Sequence, residues 1–402
     1  MLGVKPLRSK LNMGIMKKLS ILAQAAKYDR VCGKDKKGAI KAGTSNDINN
    51  FIFYSPCNGG GYVPLLKVLF TNICINDCKY CYNRRSNDIE RAIFKPAELA
   101  KLTYELYRKG QIKGLFLSSG IYKNPDYTME LMISTAKILR GIFGFDGYIH
   151  LKIIPGTSPD LIKVAMSLAT RVSCNIELPT EESLKLLAPD KTARDIISAL
   201  KSVRYNTLEH NINISTTTQL IIGATPESDA TILKLANTLY SDNLAKRVYY
   251  SAYIPVNPGV LPDVTNPPLL REHRLYQADW LIRFYGFKVE DIFQGTENLS
   301  NEMDPKMLWA LRNMHIFPID VKRAPYDRLI LVPGIGPKTA KKIIKVRREG
   351  YLDEQVLKRI GISLTRAREF ITIGGKPLPQ EQPSNEKLKN KFSSRTRQLA
   401  LF

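Results

Sequence analysis

From residue 63 onward, short apolar runs rich in Leu, Val, Ile, Phe and Tyr alternate with stretches in which apolar residues recur every three or four positions. The runs at 64–71, 114–118, 148–154, 172–178, 212–222 and 247–254 read as strands; 96–109, 128–140, 183–187, 192–203 and 230–239 read as helices between them. Alternation of this kind builds βα units around a parallel sheet. Six such units predict an α/β fold, a partial (βα)6 barrel with its chemistry at the C-terminal ends of the strands. A further amphipathic helix is expected over 269–285, and the barrel with its flanking helices is expected to occupy 63–320. Residues 1–62 then form a basic N-terminal extension, 321–375 a small all-α unit, and 376–402 a Pro, Gln, Ser and Lys-rich tail without periodicity.

Charge sharpens that division. Of the 402 residues, 44% are hydrophobic, enough for a full core, and the net charge is +23. Residues 1–41 hold 11 basic and 2 acidic side chains, and residues 321–402 hold 19 and 7. A nearly neutral body between two basic ends points to polyanion-binding segments, nucleic acid first, with solubility as the other reading. No apolar run approaches the roughly 18 residues a membrane helix needs, so no span is expected. Lys17-Lys18 before Leu-Ser-Ile-Leu-Ala imitates a signal peptide, but Lys27 and Asp29 follow at once. Six cysteines, three of them too tightly clustered to bridge one another, point to a reducing cytoplasm.

The clustered cysteines are Cys74, Cys78 and Cys81, spaced by three and then two residues directly after the first predicted strand. Three thiolates from one loop hold three irons of a four-iron cluster and leave the fourth open; a structural zinc would need a fourth protein ligand, and none stands at a suitable spacing. On the fourth predicted strand Ser173, Asn175 and Glu177 fall on one face by alternation, against Cys174, Ile176 and Leu178 on the other. That polar face lines either the barrel or a solvated surface. Cys32, Cys57 and Cys174 read as buried small hydrophobes, with ligation as the alternative for the first two. The four histidines are scattered and form no nucleophile–base pair; His150 alone stands where it would face the interior.

The cysteine spacing, with Tyr80 just before the third cysteine, resembles the radical S-adenosylmethionine superfamily. The resemblance implies a [4Fe-4S] cluster on Cys74, Cys78 and Cys81, an S-adenosylmethionine chelated by the open iron, and an external electron donor. It places the methionyl amine against Ser118, Ser119 and Gly120, ribose or amine against Asn175 and Glu177, and adenine against Ile221, with Tyr80 touching adenine or merely packing.

In 321–375 the stretch Val332-Pro-Gly334-Ile335-Gly336-Pro-Lys338-Thr339-Ala340-Lys341 matches the helix-hairpin-helix pattern, in which a Gly-rich turn aims backbone amides at a phosphate with Lys nearby. Twenty-seven residues on, Gly361, Ile362, Arg366 and Ala367 repeat it, with Ser363 in place of Gly336 and no counterpart of Lys338. Gly334, Ile335, Gly336, Lys338, Thr339, Lys341, Gly361 and Arg366 are therefore the candidate nucleic-acid contacts. A hairpin pair used only for protein contacts is the other reading.

Several blocks together resemble one family, radical S-adenosylmethionine proteins of DNA modification or repair associated with a uracil-DNA-glycosylase-like partner. They are Leu22–Asp29 with Cys32, Leu65–Asn72 through the cysteine loop, Gly114–Gly120 with Asn124–Glu130, Ile176–Leu184 and the hairpin. The resemblance implies DNA modification by hydrogen abstraction. Modification of tRNA or another RNA by the same chemistry, and a non-catalytic iron–sulfur DNA-binding adaptor, stay open beside it. The last residues, Gln398, Leu399, Leu401 and Phe402 among them, resemble the peptide with which bacterial repair proteins dock on the sliding clamp, which makes that clamp an expected partner.

Overall fold

Leu66 and Val68, Leu115 and Leu117, Ile149 and Leu151, Val172, Leu220, Val248 and Tyr250 are all fully buried, and the register aligns them on one face of a single sheet. Burying these side chains against helices is what makes the runs strands and orders them. In a computed structural model that describes residues 14–28, 51–56, 61–210, 212, 214–257, 259–261 and 268–378, the sheet has seven strands in sequence order. They are β1 (Ile52–Pro56), β2 (Tyr62–Leu69), β3 (Gly114–Ser118), β4 (Tyr148–Lys152), β5 (Arg171–Ser173), β6 (Ser215–Ile222) and β7 (Arg247–Ala252). β1 pairs antiparallel with β2; every later neighbour is parallel, and the sheet curls into a half-barrel. Helix α1 (Ile15–Ala25) packs on β2 and α2 (Pro96–Arg108) on β3. The helices α3 (Pro125–Lys137), α4 (Pro159–Leu168), α5 (Glu181–Leu187), α6 (Ala193–Glu209) and α7 (Asp229–Ser241) fall between the later strands. The helix-covered face is the convex one, so Lys67, Phe116, His150, Arg171, Thr217 and Arg247 line the concave side.

Two sequence expectations change. An antiparallel edge strand, β1, stands inside the segment read as the N-terminal extension. The strand expected over 172–178 stops at Ser173, and its two-face alternation fails: Cys174, Asn175, Ile176, Glu177 and Leu178 are all buried. After Ser173 the ladder lapses, Ile176 donating its amide to the Thr218 hydroxyl rather than to a β6 carbonyl, and the segment meets the sheet again as a bridge between Leu220 and Glu177, which is left-handed at φ 70°.

Contacts divide the described chain into two units, one reaching Glu227 and resuming over Thr238–Leu269, the other taking Ser228–Asn237 and the chain from Leu270 on. Besides the start of α7, the second unit holds α8 (Leu269–Tyr285) from Leu270 on, α9 (Val289–Phe293), α10 (Pro305–Arg312), β8 (Ile319–Asp320), α11 (Tyr326–Leu329), α12 (Pro337–Glu349), α13 (Glu354–Arg359), α14 (Leu364–Ala367), β9 (Ile371–Ile373) and β10 (Lys376–Pro377). Its core joins Met303, Met307 and Ala310 to Val332, Ile335, Ala340, Ile343, Leu357, Ala367 and Phe370. It is not all-α as expected, because β8, β9 and β10 form a small sheet. Among the described residues no helix is long and apolar enough to cross a membrane.

The close approach of β3 and β4 depends on Gly114, where a Cβ would collide with the carbonyl oxygen of Tyr148. Gly114→Ala should lower stability by about 1–3 kcal/mol, as overpacked cores do. Gly110, left-handed at φ 69° with nothing within 4 Å of an added Cβ, should cost only about 1 kcal/mol on the same change. Urea titration of both variants checks the order.

Candidate functional site

The loop after β2 carries Cys74, Cys78 and Cys81, none of them in a disulfide, and almost every bond that shapes it ends on a backbone atom. Arg91 donates from one terminal nitrogen to the carbonyls of Asn72 (2.5 Å) and Asn83 (2.8 Å) and from the other to Arg84 (2.6 Å) and Asn87 (2.9 Å). Asn257 donates to the carbonyls of Lys79 (2.7 Å) and Cys81 (3.0 Å) and accepts from Asn87 (2.7 Å). The Arg84 fork grips Asp77 at 2.9 and 2.6 Å and holds its carboxyl well below the usual carboxylate range, while the Asp77 amide donates to Asp190 (2.7 Å). Two sulfurs accept backbone amides at 3.4 Å, Cys74 from Ile121 and Cys81 from Asn83.

The strand ends close around this loop. The Gly120 amide donates to the carbonyl of Thr71 (2.7 Å), and a Cβ at Gly120 would stand 2.6 Å from the carbonyl oxygen of Ile73, so only glycine fits against the cysteine loop. Ser119 bonds the Gly120 carbonyl (2.6 Å), and the buried Ser118 hydroxyl has no partner among the described residues. Asn175 donates to Glu177 at 3.4 Å; Glu177 accepts the ammonium of Lys191 at 3.0 Å, and that ammonium also reaches the Tyr80 hydroxyl at 3.3 Å. Ile221 donates its amide to the Glu177 carbonyl at 2.7 Å. The seven residues read as cofactor contacts therefore stand around one loop. His150 is a buried structural histidine, bonded to Ser173 at 2.8 Å and stacked on Phe116.

Burial raises the thiols of Cys78 and Cys81, the latter to about 12; the Cys74 sulfur adds to the rise at both, and the Cys78 sulfur adds to it at Cys81. Thiolates crowded in this way need positive charge beside them, which metal ions supply. Among the described residues no group of three His, Cys, Asp or Glu side chains is arranged to hold a single metal ion. Residues 68–239 match the radical SAM superfamily. A radical SAM domain carries a [4Fe-4S] cluster and S-adenosylmethionine, and the three sulfurs, the Gly120 cradle and the unpartnered Ser118 hydroxyl fit them. No curated protein matches the chain. Among solved structures, HydG, a maturase of the [FeFe]-hydrogenase, aligns at 13% identity over 69% of this chain and 63% of its own, with a TM-score of 0.44. HydG from Carboxydothermus hydrogenoformans aligns at 14% over 54% and 51% (TM-score 0.43), and the coproporphyrinogen III oxidase HemN from Escherichia coli at 16% over 53% and 52% (0.36). The chain thus spans less than two thirds of the HydG length.

In the second unit Gly334 and Gly361 are both left-handed, at φ 86° and 93°, and the pairs Ile335 and Ile362, Ala340 and Ala367, Ile343 and Phe370 are all buried. The two turns abut: Ser363 donates its amide to the Gly334 carbonyl at 3.4 Å. The first turn opens α12 at Gly336 and leaves Lys338, Lys341, Lys342, Lys345 and Arg348 exposed along it; Thr339 is half-buried. Its underside is pinned by the buried Lys306, which bonds the Ile335 carbonyl at 2.6 Å and lies over the Tyr285 ring. The second copy departs from the expectation: α14 lasts only four residues before β9, and Arg366 turns onto Asp304 instead of standing clear for a phosphate. Gln398, Leu399, Leu401 and Phe402, like Cys32 and Cys57, lie outside the described residues.

Sequence reading missed Arg91, Asn257 and Lys191. Their partners lie up to 178 residues away, and an isolated Arg, Asn or Lys carries no spacing signal. Anaerobic reconstitution should give about four irons per chain. Cys74, Cys78 and Cys81 changed together to Ala should lose the chromophore, and Cys174→Ala should keep it. Arg91→Met should lose most of the iron while the far-ultraviolet spectrum is retained; full iron content in that variant would refute the clamp.

Proposed function

We propose that the chain is a radical S-adenosylmethionine enzyme that modifies or repairs a nucleotide in DNA. The observation that carries the reading is the joining, in one chain, of the radical SAM domain to a unit whose Gly334 turn opens a helix with five exposed basic side chains. When bound, cluster and S-adenosylmethionine supply, with one electron from an external donor, a 5′-deoxyadenosyl radical that abstracts a substrate hydrogen. The protein's part is placement. Cys74, Cys78 and Cys81 hold the irons; Ser118, Ser119 and Gly120 receive the methionyl amine; Glu177, fixed by Lys191 and Asn175, takes ribose or amine; Ile221 and Tyr80 flank adenine. The Gly334 turn, Lys338 and Lys341 hold phosphates without reading sequence. Arg366 is left out of that set because Asp304 engages it. A uracil-DNA-glycosylase-like protein and a sliding clamp held by Gln398–Phe402 complete the proposed partners.

The test combines chemistry and binding. Under dithionite the reconstituted enzyme should release 5′-deoxyadenosine, which an adaptor would not. It should bind duplex DNA more tightly than folded RNA of equal length; the reverse order would make RNA the substrate. Truncation at Asp320 would split the core that α10 shares with the hairpins, so point variants are the better probe. Lys338→Glu with Lys341→Glu should weaken duplex binding and reduce its salt slope by about two, roughly one per phosphate contact. Unchanged affinity would remove the hairpin from the proposal.

A further inference from the structure

The concave face of the sheet carries more positive charge than the cofactor site uses. Its strand positions include Lys67, Lys152, Arg171 and Arg247 and not one carboxylate. Two of these cations stand together at the N-terminal edge, away from the cysteine loop, which follows the C-terminal end of β2. Arg171 opens β5 and pairs with Ser215; Arg247 opens β7 and pairs with Thr217, so the two guanidiniums flank β6. Two tyrosines complete the group. The Arg171 guanidinium lies 6.0 Å from the Tyr148 ring and that of Arg247 4.5 Å from the Tyr249 ring, and the Tyr148 hydroxyl feels both Arg171 and Tyr249.

Arginines at a strand edge ordinarily serve the fold through carboxylates. Here, among the described residues, neither has one, and the buried Nε of Arg171 has no hydrogen-bond partner. A buried donor without an acceptor is costly unless a ligand supplies one. Two half-buried guanidinium forks backed by aromatic rings match a phosphate, whose oxygens accept bidentate bonds, and rings beside them suit a planar base or sugar. Farther up the same face the buried Thr217 and Gln219 continue the polar lining toward the loop.

We propose that Arg171 and Arg247, with Tyr148 and Tyr249, form the phosphate subsite for the nucleotide substrate on the inner face of the half-barrel, at the edge remote from the cysteine loop. The proposal deepens the nucleic-acid reading and rests on it: the hairpin unit would hold the polymer, and this subsite the nucleotide that reacts. Bound by its phosphate here, a nucleotide extends its sugar and base up the concave face past Thr217 and Gln219.

The test is calorimetric titration of the reconstituted full chain, saturated with S-adenosylmethionine, with deoxynucleoside 5′-monophosphates, the matching nucleosides and inorganic phosphate. Nucleotides should bind about tenfold tighter than nucleosides, and inorganic phosphate more weakly than nucleotides. Arg171→Met with Arg247→Met should abolish the preference. Arg171→Lys with Arg247→Lys, which keeps charge but not the fork, should retain part of it and guards against misfolding of the first variant. Equal affinity for nucleotides and nucleosides, inorganic phosphate binding as tightly as nucleotides, or an undiminished preference in either double variant would overturn the subsite. Lys338→Glu with Lys341→Glu separates the two ideas, since loss of duplex binding there should leave the mononucleotide preference intact.

Discussion

An irregular loop that must hold three sulfurs in place has no ladder to satisfy its carbonyls, and the segment from Asn72 to Asn87 answers that constraint chiefly with one side chain. Four of its carbonyls, spread over sixteen residues, converge on the two terminal nitrogens of Arg91. Burial weakens the Arg91 cation, and the Cys74 and Cys81 sulfurs are the leading charges that restore it. The arginine that shapes the loop is thus stabilised by the groups it positions. Asn257 repeats the device from the far end of the sheet, donating to the carbonyls on either side of Tyr80. With the backbone fixed at both ends, Cys78 and Cys81 have little freedom to rearrange.

The parallel core was legible because it obeys a periodic rule. Strands buried on one face against helices read as dense apolar runs, and β2, β3, β4, β6 and β7 lie where those runs stand. β5 reads longer in the sequence because Val172 to Leu178 alternate apolar and polar residues as a half-buried strand does; what interrupts the ladder is the Thr218 hydroxyl taking the Ile176 amide, a contact that composition does not encode. β1 was missed because it pairs antiparallel at the edge and precedes the repeating pattern. The cysteine loop announced itself through spacing, and Ser118 to Gly120 through a small-residue turn. Lys191 could not: its meaning lies in reaching Glu177 and Tyr80, 14 and 111 residues away in sequence.

The same separation explains the charge pattern inside the half-barrel. The convex face is fixed by packing and is filled mainly by Leu, Val and Ile, with the buried Thr216 and Thr218 of β6 among them. The concave face escapes that demand, and its polar residues are free to follow chemistry. Glu177 is the carboxylate at its mouth, and Lys191 neutralises it. The remaining lining is cationic, so the potential there favours anions, and with partly desolvated walls it is less screened than a surface patch of equal charge.

The two glycine turns of the second unit diverge by the same logic. Ile335, Ala340 and Ile343 recur as Ile362, Ala367 and Phe370, because both copies must fill one core. What the core does not require has diverged. The first copy keeps Gly336 and a thirteen-residue helix, whereas the second has Ser363 and a helix of four residues, too short to sum an appreciable dipole. Its Arg366 pairs with Asp304, which also caps α10, so this copy ties the turn to the helix beside it. Under the proposed reading, only one turn then contacts phosphate, and duplex binding by the second unit rests on few contacts with a shallow salt dependence. On that reading such binding would be weak enough to release and rebind along a polymer, leaving the choice of reacting nucleotide to the barrel.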